Sequence, residues 1–395
     1  MSGGGFGIGR VFGIKIRIDW SWLFIFLLVT WNLATVFSQS HADWSVGLSW
    51  GTAVVAALLF FASVLAHELA HSLVARAQGV PVRSITLFLF GGVSSIERDP
   101  DSPAKEFLMA FVGPLTSIVL GGVLLGIAGA TVGPLADTIA DPSAAIAKLN
   151  PLSTLLMWLG SVNVLVGVFN LIPGFPLDGG RVVRSLIWAA TDNLRRATRW
   201  ASWLGQAIAW LMIISGIAMV FGLQVPFFGT GFISGLWLAF IGWFLNGASV
   251  QSYQQVVIHD ILEGVQVARI MRTDPPTVEA SSSVSSLVHD HIMRTDDHAF
   301  PVLGDGRLVG LVALEDVRRA HRDAWETTTV GEIMTPADKL TAVGPEEDAA
   351  DALNKLAARD VGQLPVLRGS ELVGLLRRQD LVKWLQLHSE LVRGR

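Results

Sequence analysis

The 395-residue chain contains no cysteine. That absence excludes disulfides and thiolate metal sites, so any bound metal must take His, Asp or Glu ligands. Charge is scarce as well. Only 16% of residues are Asp, Glu, Lys or Arg, against 51% hydrophobic. This excludes an ordinary soluble enzyme and points to a multi-span membrane protein. There is no basic tract of the kind that binds nucleic acid, and the net charge of −4 gives no direction of its own. A Gly-rich N-terminus leads through Gly13-Ile14-Lys15-Ile16-Arg17 into the first apolar stretch. No small-residue cleavage site follows, so that stretch reads as a retained span and not a removed signal peptide.

Apolar runs fall at 20–38, 49–75, 107–132, 152–172, 203–222 and 231–250. Each is close to the ~20 residues a helix needs to cross a bilayer. Six spans put both termini on one side. One set of loops carries Arg10, Lys15 and Arg17, then Arg76, Arg83, Arg98 and Lys105, then Arg181, Arg184, Arg195, Arg196 and Arg199. The alternate loops carry only Lys148. The positive-inside rule makes the rich loops and both termini cytoplasmic, in a multi-pass protein of the cell membrane.

His67-Glu68-Leu69-Ala70-His71 follows directly on the apolar run 58–66. Residues at i and i+4 share a helix face, so both imidazoles can reach one metal ion. Glu68 between them is placed to take a proton from an attacking water. Such residues are costly within a membrane and mark function there. A zinc hydrolase needs a third protein ligand. The best candidate is Asp178, in Asn170-Leu171-Ile172-Pro173-Gly174-Phe175-Pro176-Leu177-Asp178-Gly179-Gly180. Two prolines break the fourth span there, and Gly179 and Gly180 let the chain turn tightly. Taken alone, the same segment also reads as an ordinary helix cap or turn.

Between the second and third spans, residues 83–95 run from β-branched and aromatic residues into Gly91-Gly92. A short strand or hairpin at the membrane face is expected. It reads either as a connector or as an edge that pairs with an extended substrate.

The two motifs resemble the site-2 protease family of intramembrane zinc metalloproteases. His67 to His71 match the family's H-E-x-x-H box. Asn170, Pro173, Pro176, Asp178, Gly179 and Gly180 match its N-x-x-P-x-x-P-x-D-G-G element. The resemblance covers about residues 10–250, without a PDZ-like insertion between the third and fourth spans. It implies cleavage of a substrate transmembrane helix, usually after another protease has trimmed the substrate. It implies one Zn²⁺ per chain on His67, His71 and Asp178, with Glu68 as general base. Asn170 would hold substrate or stabilise an oxyanion, or else make an interhelical hydrogen bond.

After Tyr253 the chain becomes charged and soluble in character, with an internal repeat of about 64 residues. Residues 268–273 match 331–336, Phe300-Pro301-Val302-Leu303 matches Leu364-Pro365-Val366-Leu367, and 308–312 with Asp316 match 372–376 with Asp380. Each copy reads as strand, helix, two short strands and helix. The repeat resembles a tandem pair of CBS domains, which often bind adenine nucleotides through a Gly-x-x-Thr/Ser-x-x-Asp stretch. Here those positions hold Gly310, Ala313 and Asp316, then Gly374, Arg377 and Asp380. The hydroxyl is missing in both copies, and Arg377 either meets a phosphate or is solvated. Nucleotide binding at Asp316 and Asp380 and a structural or homodimerising role both stay open. His41, His259, His289, His291, His298, His321 and His388 show no metal-site pattern and read as surface or satisfied residues.

The expected architecture is an α-helical polytopic membrane protein with a short membrane-associated β-hairpin, plus a cytoplasmic α/β CBS pair. Residues 1–250 form the protease domain, 251–264 a linker, 265–325 the first CBS domain, and 326–395 the second with its tail. The expected function is hydrolysis within a transmembrane substrate in the lipid bilayer, with the CBS pair regulating it. The alternatives are a CBS-gated transporter or channel, for which broken helices with intramembrane polar groups are suited, and an inactive membrane scaffold.

Overall fold

The computed structural model describes residues 5–89, 91–96, 100–132, 149–226 and 228–393. Phe90 of the expected strand, Arg98 and Lys148 of the charge count, and loop residues 133–148 lie outside them. The chain divides into two compact units, Gly3–Gln254 and Gln255–Arg395.

In the first unit a hairpin, β1 (Gly5–Val11) and β2 (Ile14–Asp19), precedes α1 (Trp20–Ser40) and α2 (Val46–Ala77). Then come β3 (Val82–Phe88), β4 (Gly91–Ile96), α3 (Pro103–Val132) and α4 (Pro151–Asn170). A shorter helix, α5 (Asp178–Thr191), leads to α6 (Leu194–Val220) and α7 (Phe232–Leu262). Among the described residues, the six helices other than α5 are long and apolar enough to cross a membrane. They match the six expected runs and mostly extend past them, because polar caps continue the backbone ladder beyond the apolar window. Ser45 Oγ accepts from Leu48 N at 3.3 Å to start α2, four residues before the apolar run. Asp19 accepts from Ser21 N to start α1, and Asn150 accepts from Ser153 N to start α4, with Pro151 in the first turn.

Small residues let these helices approach closely, as expected within a bilayer. A Cβ on Gly121 of α3 would lie 2.7 Å from the Gly160 carbonyl of α4, and one on Gly160 would lie 3.0 Å from the Gly121 carbonyl. The four strands form one sheet in the order β1-β2-β3-β4. β2 and β3 are parallel, pairing Ile16 with Ile85, whereas the two hairpins are antiparallel. The expected hairpin is therefore half of a larger sheet. In β2, Ile14, Ile16 and Ile18 are buried while Lys15 and Arg17 are exposed. This period-two pattern was available in the sequence as a strand signal.

In the second unit, the first repeat pairs β5 (Val278–Glu279), β6 (Ala299–Gly304) and β7 (Arg307–Ala313), followed by α8 (Leu314–Arg319). The second holds α9 (Ala349–Arg359), β9 (Gln363–Arg368), β10 (Glu371–Arg377) and α10 (Arg378–Arg393). A short β8 (Thr335–Pro336), at the start of the second repeat, pairs with β7 of the first. Each repeat has its own core, one around Phe300, Val302 and Val312, the other around Leu356, Leu364 and Leu376. Leu262, within this second unit, also packs in the second of these cores.

Candidate metal centre

His67 and His71 are one turn apart on α2, and each is 6% exposed. Their Nε2 atoms lie 3.1 Å apart. Asp178 opens α5, just past the proline-containing break after α4. Its Oδ2 lies 3.1 Å from His67 Nε2 and 3.2 Å from His71 Nε2. The three donor atoms thus form a nearly equilateral triangle. Donors bound tetrahedrally to one zinc lie about 3.3 Å apart, given bonds of about 2.0–2.1 Å.

The remaining ring nitrogens are used in a way that favours this geometry. His71 Nδ1 donates to the Met109 carbonyl at 2.6 Å. A carbonyl only accepts, so Nδ1 carries a proton, and the neutral tautomer of that kind presents its lone pair at Nε2. His67 Nδ1 lies 2.9 Å from Ser117 Oγ, which can accept in the same sense. With both rings in that neutral tautomer, two Nε2 lone pairs and a carboxylate converge on one point, the arrangement that holds a cation. The donor set, two imidazoles and one carboxylate, suits Zn²⁺. Gly113 of α3 faces this point. A Cβ there would collide with both imidazoles.

Glu68 lies beside the histidines and is half-buried. Ser94 of β4 donates to Glu68 Oε2 at 2.8 Å, and Ser72 donates to Ser94 at 3.1 Å. Gly92 of the same strand lies against the Glu68 side chain, where a Cβ would not fit. Asn170 is at the end of α4, and its amide donates within the helix to Val166 O at 3.1 Å. Among the described residues, no hydrogen bond joins it to His67, His71 or Asp178.

Sequence reasoning missed Met109, Gly113, Ser117 and Ser94. Gly92 and Ser94 were within the stretch singled out as a strand, and a small polar residue beside a Gly pair was their signal. A single hydroxyl or glycine in an apolar span is too common to stand out.

In the second unit, Asp316 and Asp380 have different surroundings. Asp316 accepts from Ala313 N at 2.9 Å and lines a cleft of about 1370 Å³. Lys339, Arg359, Arg378 and Lys383 also line that cleft. Asp380 is paired with Arg377 at 2.7 Å, and Arg377 also reaches Asp297 Oδ1 at 2.5 Å. The Asp380 hydrogen bond, with Asp297 adding to it, holds the Arg377 pKa above its ordinary value. Arg377 is therefore neither free nor merely solvated. His41 is buried, stacks on Trp44 at 4.1 Å and lies 3.1 Å from Thr154 Oγ1, so it is a packed residue.

Comparison with known proteins agrees with both units. The model of peptidase family M50 matches residues 55–136 and 129–214, and the CBS domain model matches 267–323 and 330–387. A relative in Mycobacterium tuberculosis, named zinc metalloprotease Rip3, is 34% identical over 96% of this chain and 93% of its own length. One from Synechocystis, named zinc metalloprotease sll0528, is 33% identical over 96% and 95%. Zinc metalloprotease MJ0392 of Methanocaldococcus jannaschii is 25% identical over the same shares. A solved site-2 protease from Methanocaldococcus jannaschii aligns with 63% of this chain and 95% of that one, at 25% identity and a TM-score of 0.41. With its six apolar helices and matches along nearly its whole length, the chain belongs to peptidase family M50, the site-2 zinc metalloproteases, and carries a tandem CBS pair.

Proposed function

We propose that this metalloprotease cleaves a peptide bond within or near a transmembrane helix of a membrane-protein substrate, and that the CBS pair regulates it from the cytoplasm. The observation that carries this reading is the convergence of His67, His71 and Asp178 on one point, with Glu68 beside it. These three residues would hold one zinc per chain. When bound, the ion supplies Lewis-acid charge that polarises a carbonyl and acidifies water. Glu68 takes the proton of the attacking water and returns it to the leaving amine. The Ser94 hydroxyl keeps the carboxylate oriented for that transfer.

A helical substrate hides its carbonyls in internal hydrogen bonds, so the scissile stretch must unwind first. β4 is one of the two edge strands of its sheet among the described residues and offers backbone groups to an extended segment. Asn170 then contacts the bound substrate or the developing oxyanion. The Lys/Arg-rich loops make both termini cytoplasmic. Residues 1–250 do the chemistry, 251–264 link, and 265–325 and 326–395 form the regulatory pair. An adenine nucleotide would bind on the Asp316 side, where the cationic cleft suits phosphates.

Metal analysis of the purified protein, joined to cleavage of a transmembrane substrate, tests this reading. Glu68→Gln is expected to keep its zinc and lose at least ~10²-fold in rate, because an amide cannot accept the proton. Cleavage by that variant at near wild-type rate would eliminate Glu68 as the base. Zinc content unchanged in His71→Ala would eliminate the ligand set.

A further inference from the structure

The Asp178 helix carries another charged side chain that the chemistry above does not use. Arg184 of α5 is 5% exposed, and Glu106, in the first turn of α3, is fully buried. Arg184 Nε donates to Glu106 Oε1 at 2.6 Å, and its Nη2 forms an ion pair with the same oxygen. Arg181 Nε lies 3.7 Å from that oxygen. The Arg184 guanidinium is also 5.4 Å from the centroid of the Phe175 ring, in the loop that enters α5. One guanidinium thus ties α5, the loop before it and α3 together. Arg184, in the connection between α4 and α6, is a buried ion-pair partner.

A buried ion pair is a weak source of stability, because desolvating both charges offsets their attraction. Its directionality is another matter. Met109, Gly113 and Ser117 follow Glu106 at i+3, i+7 and i+11, which is the spacing of one helix face. Met109 and Ser117 hold the two imidazoles, and Gly113 leaves them room. Glu106 continues that face and grips the helix that brings in the carboxylate.

The start of α5 has no side-chain cap. Gly179 and Gly180 instead pack against the backbone of Leu171–Phe175 so closely that neither has room for a Cβ. That contact limits how near α5 comes to its own loop. The Arg184–Glu106 bond supplies a polar anchor on the α3 side. Metal–ligand distances tolerate only about ±0.2 Å, so small shifts of α5 matter.

We propose that Glu106 and Arg184 are positioning residues, which fix α5 against α3 so that Asp178 Oδ2 meets the two histidine Nε2 atoms. This rests on reading His67, His71 and Asp178 as the zinc ligands. A purely structural pair could be exchanged for apolar residues of similar volume without loss. A positioning pair could not, because apolar contact lacks the direction of a guanidinium–carboxylate bond.

The test uses the full chain in detergent, with the double variant Glu106→Leu/Arg184→Met and the single variant Arg184→Lys. Zinc affinity is measured by competition with a chelator, the metal-free melting point is recorded, and visible spectra are taken after Co²⁺ substitution. The double variant is expected to melt near wild type when metal-free, to bind zinc about 10–100-fold more weakly, and to show altered cobalt bands. Arg184→Lys keeps the charge but loses the two-pronged bond and the ring contact, so its affinity should fall between the two. Wild-type affinity and cobalt bands in a folded double variant would overturn the proposal. If the double variant does not fold, wild-type affinity and bands in Arg184→Lys would do the same. His71→Ala is the control. If it too binds zinc normally, the ligand assignment has failed and not the positioning argument.

Discussion

Ser94 Oγ donates to Glu68 Oε2 at 2.8 Å, so an edge strand of the sheet holds the carboxylate of the residue that follows His67. The same strand lays Gly92 against the Glu68 side chain. The proposed base and the edge proposed to receive substrate are therefore one mechanical unit. An extended segment pairing with β4 is brought toward Glu68 by the strand that orients it.

Replacing Ser94 by Ala removes that bond and leaves the metal ligands untouched. Cleavage should fall about 10-fold, at the low end for losing an orienting hydrogen bond, with zinc content unchanged. Steady-state kinetics alongside metal analysis would check this. A Ser94→Ala enzyme with wild-type kcat/KM would mean that Glu68 needs no help from the strand.

Gly113→Ala adds a single methyl group on the face of α3 that meets both imidazoles. The rings must move, and zinc affinity should drop by about 100-fold, the upper range for disturbing what orients a metal ligand. Gly122→Ala, on the same helix with open space around it, is the matched control and should bind as wild type. Equal affinities for the two variants would contradict the close approach of α3 to the histidines.

The absence of cysteine makes the topology directly testable. A cysteine placed at Arg196 should react with an impermeant thiol reagent only from the cytoplasmic side, and one placed at Ala140 only from the opposite side. Labelling of both positions from the same side would break the six-span arrangement.

The two CBS aspartates should behave differently. ATP or AMP titrated into the full chain is expected to bind on the Asp316 side, and Asp316→Asn should weaken binding about 10-fold by removing a charged hydrogen-bond acceptor. Asp380→Asn should have little effect, because Asp380 is already engaged by Arg377. The reverse ranking in calorimetry would assign the ligand to the other repeat.

The sequence by itself determined whatever depends on neighbours along the chain. The six spans were legible because a membrane helix needs one unbroken apolar run. The facing of His67 and His71 follows from the helical period, and the break before Asp178 follows from Pro173 and Pro176. The CBS pair was legible as a repeat. Tertiary structure alone decided what meets across distance. It brings Asp178 to His71, 107 positions away, and Ser117 to His67, 50 positions away. It joins β2 to β3 across the whole of α1 and α2, and it pairs Arg377 with Asp297 80 positions earlier. Apart from the Asp178 motif, which marks a ligand without a helical or strand period, these contacts carry no periodicity and no composition signal. Each depends on which helix faces pack together, and packing is a property of the folded volume and not of the local chain.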